Sequence, residues 1–239
     1  MKTIRCIILS MTCLLSFFHT SCVVYHPHPT DIPLLSEQGQ WDVDANISMS
    51  APLLVSPAIN ASVAYAPVNM LGLQAAASFT DVKDCHFQVA AGTWQTFGLA
   101  VLECYVGYAH GRSYNDTVSN LYHNTYYVDG YYNMPFSQIN FGWKGLADNT
   151  IDVGFGLKGG LLNPHWNKIE MLDDGTEALA ELHEEPHFLL EPQLMFRVGG
   201  EKIKISFNIM YAFLSNWPTE NNYFNYERFG GGVGIHFTF

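Results

Sequence analysis

Charge is what this 239-residue chain has least of. Asp, Glu, Lys and Arg together make up 14% of it, well under the roughly 25% usual for soluble globular domains. Only 11 residues are Lys or Arg, and the formal net charge is −11. That balance excludes a nucleic-acid partner, because phosphates demand clustered basic side chains. Nowhere past the first residues does the chain hold the roughly 20 continuous apolar residues that a spanning helix needs. If the protein enters a membrane, it does so as strands. Of five cysteines, Cys6, Cys13 and Cys22 lie at or before residue 22, leaving Cys85 and Cys104. Two thiols make no disulfide framework. What the chain does have is 48% hydrophobic residues, 14% aromatics and 20 glycines.

Those residues are arranged with period two. In the last twelve positions Phe229, Val233, Ile235, Phe237 and Phe239 alternate with Arg228, Gly230, Gly232, Gly234, His236 and Thr238. Such alternation means a strand with one apolar face. Trp41, Val43, Ala45, Ile47 and Met49 likewise oppose Asp42, Asp44, Asn46 and Ser48. Similar rows recur near residues 59–65, 71–79, 87–91, 100–108, 139–143, 151–157, 188–198 and 203–213. That makes about ten strands of roughly nine to eleven residues, the length that crosses a membrane when tilted. Tight turns at 66–70, 95–98, 145–149 and 199–201 alternate with connections at 51–57, 80–84, 112–135, 162–186 and 214–227, three of them long. A soluble two-sheet sandwich also alternates its residues, but it needs no such asymmetry of turns.

The terminal phenylalanine strand and the two unequal rims resemble the small outer-membrane β-barrels of Gram-negative bacteria. The resemblance implies an all-β fold, a closed antiparallel up-and-down transmembrane β-barrel of about ten strands with long loops on the outer rim. Residues 1–21 read as a signal peptide: Lys2 and Arg5, an apolar run from Cys6 to Phe18, then small residues. Removing it takes the formal charge from −11 to −13. The His19-Thr20-Ser21-Cys22 junction resembles a lipoprotein cleavage site, as in lipid-tethered barrels of Bacteroidetes, which implies an acylated Cys22. Residues 22–40, with Pro27, Pro29 and Pro33, read as an extended lipidated tether ahead of a barrel at 41–239. An even strand count puts both ends of the barrel at the short-turn rim, so the anchor is expected on the periplasmic side. His26 and His28 are two ligands short of a usual metal site and read as linker residues. No cofactor is expected.

With the apolar rows toward lipid, the lumen receives Asp42, Asp44, His86, Glu103, Asp152, Lys158, Glu191, Arg197, Lys204, Arg228 and His236. A seam pairing of Asp42 or Asp44 with Arg228 is expected. Ten strands make a narrow barrel that side chains largely fill, so a plugged interior with a neutralised network is the first reading. Gly92, Gly107, Gly154, Gly156, Gly230, Gly232 and Gly234 leave space there, which keeps a narrow pore for small polar solutes as the second. An enzyme is the third: His110, His187, Ser113 and Glu184 or Glu185 lie near strand ends, with no family motif around them. Expected partners are outer-membrane lipid and an extracellular ligand or envelope protein. Tyr122, Tyr126, Tyr127, Tyr131 and Tyr132 in the 112–135 loop offer flat, low-entropy contact area for such a ligand, with a membrane-interface girdle as the plain alternative. The acidic 162–186 loop contains Thr176-Glu-Ala-Leu-Ala-Glu-Leu-His183, whose helix formers and capping threonine predict a short helix. A turn in which Gln95 faces Gly98 would set Val89 opposite Cys104 and Cys85 near Tyr108, leaving both thiols free.

Overall fold

In the computed structural model, residues 23–28, 32–51, 57–119, 125–172, 175–215 and 224–239 are described. In chain order the strands are β1 (Val23–Tyr25), β2 (Trp41–Ala51), β3 (Pro57–Val68), β4 (Leu71–Asp81), β5 (Asp84–Phe97), β6 (Ala100–Ser119) and β7 (Thr125–Gly145). They continue with β8 (Ile151–Met171), β9 (Glu177–His183), β10 (His187–Gly199), β11 (Ile203–Tyr211), β12 (Phe213–Leu214), β13 (Asn225–Tyr226) and β14 (Phe229–Thr238). Ten of these, β2 to β8 with β10, β11 and β14, pair antiparallel with their neighbours. The ring closes where β14 meets β2. Val233 faces Ile47 and Phe237 faces Val43 across that seam. Trp41 and Phe239 exchange backbone hydrogen bonds at 2.9 Å in both directions. Closure matters because no sheet edge can be left unpaired in hydrocarbon.

The apolar rows point outward, as the alternation requires. Ile47, Val233, Ile205 and Phe207, side by side on three strands, are between 41% and 55% exposed. Asp42 and Glu103 on the other face are fully buried. Among the described residues no helix is long and apolar enough to cross a membrane.

Both rims have the expected character, with three local corrections. The β5–β6 turn is Gly98–Leu99, since Phe97 pairs with Ala100. Gly98 takes φ +66° at the first of two loop positions, the place where a tight hairpin turn needs glycine. The register therefore differs from the one expected from Gln95. Val89 faces Tyr108, Cys104 faces Thr93 and Cys85 faces Arg112, and both thiols are free. Residues 112–135 are mostly not loop: β6 and β7 run on past the rim, with Arg112 paired to Tyr131 and Asn115 to Val128. The segment expected as a helix is the strand β9, paired with the free upper edge of β8, Trp166 to His183 and Met171 to Glu177. An unpaired edge offers a ladder of donors and acceptors, and that template outweighs a modest helix propensity. The upper parts of β6, β7, β8 and β9 thus form a wall standing above one side of the barrel.

The largest departure concerns residues 23–40, expected as a tether outside the barrel. Residues 23–28 and 32–35 lie inside it. β1 pairs in parallel with β13, Val23 to Asn225 and Tyr25 to Tyr226, at the long-loop rim. At the opposite rim Gly39 N–H donates to Ala66 O at 2.7 Å and Ala66 N–H to Gln40 O at 3.0 Å. Between these ends Val24, Tyr25, Ile32, Leu34 and Leu35 are buried. Strand parity fixes where β2 starts, but it says nothing about the route the preceding residues take. That route is a strap through the lumen.

Candidate functional site: a strapped lumen and a raised outer wall

The strap fits a lumen shaped to receive it. A Cβ built on Gly154 would stand 2.9 Å from Ile32 Cγ2, and one on Gly156 would stand 3.0 Å from Ile32 Cδ1. These two glycines on β8 are the seat of the Ile32 side chain. Pro27 lies against Gly230, while Tyr105 of β6 and Phe136 of β7 cover Gly92 and Gly107. Much of the space that the lumenal glycines leave is therefore filled. Ile32 and Leu34 pack with Val101 and Met195, and Leu35 packs with Ala64, Ala66 and Trp94. Each such side chain removed from water contributes about 1.5–3 kcal/mol.

Polar anchors hold the strap along its length. Leu35 N–H donates to Glu103 Oε1 at 2.7 Å, and Asn140 Nδ2 to Glu103 Oε2 at 2.8 Å. His28 stacks on His86 with ring centroids 4.1 Å apart. The Tyr132 hydroxyl lies 2.8 Å from His86 Nδ1 and 3.2 Å from His28 Nε2. His26 sits between Asp84 at 3.6 Å and Glu227 at 3.4 Å. Tyr25 OH donates to Glu191 Oε1 at 2.8 Å, and its carbonyl accepts from Glu227 N–H at 2.9 Å. Ser113 Oγ donates to the Val24 carbonyl. His26 and His28 are thus buried strap residues, not solvated linker ones.

Of the nine charges expected in the lumen, eight are there and buried: Asp42, Asp44, Glu103, Asp152, Lys158, Glu191, Arg197 and Lys204. Lys158 and Glu191 face each other across β8 and β10 at 2.6 Å. Lys204 holds Asp152 at 2.6 Å. At the seam Asp42 meets His236 at 3.1 Å and Arg197 at 3.7 Å. Asn46 Nδ2 donates to Asp44 Oδ1 at 2.8 Å. Arg228 is the exception: it is exposed, with its guanidinium 5.6 Å from the centre of the Tyr226 ring. It precedes the first residue of β14, where the ladder that enforces alternation has not begun. His236 and Arg197 take the role expected of it beside Asp42. A small cavity remains next to the strap, lined by His28, Asp44, Asn60, Ser78, Arg197 and Asn208 among others, with about 20 Å³ of space. That is room for one water.

The tyrosines do not form one surface. Because 125–145 is strand, alternation splits them. Tyr132 is buried inside against His86, Tyr25 and Trp166. Tyr131 is exposed outside, stacked on His165 at 5.0 Å. Tyr127 lies 5.9 Å from Tyr114, and Tyr126 lies under Lys168 at 4.7 Å. Tyr122, like Cys22, falls outside the described residues. The candidate catalytic groups are also apart. His110 is exposed and bonds Asn133 Oδ1 at 2.9 Å. Ser113 is given to the strap, and Glu184 bonds His165. His187 instead meets His183, Nε2 to Nε2 at 3.0 Å. Its Nδ1 lies 3.0 Å from Ser215 O, so Nδ1 carries the proton and Nε2 accepts one from His183. Burial and the neighbouring His187 hold the His183 pKa below its usual 6.5. Trp166 and Phe224 stack on His183. Nothing in the sequence marked this pair, which depends on β9 folding back along β8.

No family model matches the chain, and no curated protein does. Among solved structures, the outer-membrane protease OmpT of Escherichia coli superposes with a TM-score of 0.54 at 8% identity, covering 89% of this chain and 99% of its own. Less similar are the N-terminal β-barrel domain of Pseudomonas aeruginosa OprF (TM-score 0.38, 8% identity, 84% and 98% covered) and Ail of Yersinia pestis (0.26, 10%, 85% and 100%). At such identities the likeness is one of fold. The chain has the fold of a closed ten-stranded outer-membrane β-barrel.

Proposed function

We propose that the protein is a non-conducting, non-enzymatic outer-membrane lipoprotein whose sealed barrel carries a raised outer wall for binding an extracellular or envelope partner. Residues 1–21 are its signal peptide and Cys22 its acylated residue. The His19-Thr20-Ser21-Cys22 junction, which resembles that of lipid-tethered barrels of Bacteroidetes, supports this part of the reading. The strap is the observation that carries this reading. Ile32 in the Gly154–Gly156 seat, with Leu34 and Leu35 beside it, occupies the lumen along which a solute would pass. Dispersal of His110, Ser113, His187 and Glu184 over separate partners supports a non-catalytic role. OmpT is a protease, but at 8% identity its fold is what is shared.

The test is planar-bilayer recording of the purified whole chain. The sealed lumen predicts a bilayer that stays silent. Discrete current steps would favour the narrow-pore reading and remove this one.

A further inference from the structure

Residue 41 begins the barrel at the short-turn rim, yet the residues preceding it end up at the other side. We propose that the strap carries the amino-terminal end of the chain through the barrel to the outer face, so that Cys22 lies at the cell surface and seats its lipid in the outer leaflet. The lipid part rests on the acylation proposed above; the topology does not.

Each end of the strap is fixed to a different rim. Gly39 and Gln40 hydrogen-bond to Ala66, beside the β3–β4 turn. Val23 and Tyr25 pair with Asn225 and Tyr226, in the long connection between β11 and β14. Ser113, bonded to the Val24 carbonyl, belongs to the part of β6 that rises past β5, whose ladder with β6 ends at Cys85 and Arg112. Length agrees with this path. The ten steps from Tyr25 to Leu35 reach about 33 Å when extended, enough to cross an apolar band about 25 Å tall. Cys22 is one peptide unit beyond Val23, about 3.8 Å between Cα atoms, too short a distance to return through the lumen. The wall is low along β4 and β5, which are joined by only Val82 and Lys83, and acyl chains leaving the mouth cross the rim there. Held by its buried contacts, the strap then works as a tie between the outer leaflet and the periplasmic rim.

The test inserts a short epitope between Cys22 and Val23 of the full-length protein in cells. Matched insertions between Gly175 and Thr176 and at 148–149 mark the outer and inner rims. Antibody binding on intact cells is expected to equal that of the outer marker. Binding only after permeabilisation, as for the inner marker, overturns the proposal. Should the insertion block assembly, Val23→Cys labelled with a membrane-impermeant maleimide on intact cells reads the same side. Mass spectrometry of the mature amino-terminal peptide is the separate arm. An acylated terminus is expected; an unmodified one that is nonetheless surface-labelled removes the lipid and leaves the topology standing.

Discussion

Lys158 shows how this lumen is held together at the level of one side chain. It is buried on β8, 2.6 Å from Glu191, which also accepts from Tyr25 of the strap. Substituting Lys158→Met leaves the carboxylate buried without its cation, which costs about 3–5 kcal/mol. Adding Glu191→Gln removes the orphaned charge and should recover most of the loss. Denaturant unfolding of the refolded barrel reads both, and equal stability of the single and double variants would refute the coupling. The lumenal place of these charges was legible in the sequence, because period-two parity assigns each strand residue to lipid or lumen. Parity failed at Arg228, which lies outside the ladder. It was also silent on the Ile32 seat, since nothing local says which side chain will fill the space a glycine leaves.

Among the elements, β9 is the most exposed to a change of conditions. The His183–His187 hydrogen bond needs a neutral acceptor ring, and burial disfavours charge on either ring. A folded pKa held below 6.5 means that the unfolded segment binds the proton more readily. Its stabilising share is therefore complete above about pH 6.5, and it is lost as pH falls through the lower folded value. Hydrogen exchange in residues 177–183 is expected to speed up between pH 7.5 and 5.5, beyond the intrinsic effect of pH, while β2 and β14 stay protected. His183→Gln should flatten that dependence. The strand itself was not legible. Along 112–135 and 162–186 water wets much of the wall, so apolar and polar residues do not alternate and the pattern reads as loop. The lipid-facing strands were legible because one row of each must be apolar.

For the molecule as a whole, the strap turns a barrel with an even number of strands into one whose amino-terminal segment reaches the opposite rim. In the sequence Pro27, Pro29 and Pro33 point to extended chain and say nothing of where it runs. The three apolar residues Ile32, Leu34 and Leu35 were too short a run to signal burial. The strap's place in the lumen can be read directly by cross-linking. A Cβ on Gly154 would lie 3.8 Å from Ile32 Cβ, the mean separation across a disulfide. The double variant Ile32→Cys with Gly154→Cys, with Cys85 and Cys104 changed to serine, is expected to oxidise in the folded barrel to one intramolecular bond between the two peptides. Peptide mass spectrometry after mild oxidation would find it. Two free thiols in a folded barrel, both open to alkylation, would mean that the strap does not run through the lumen.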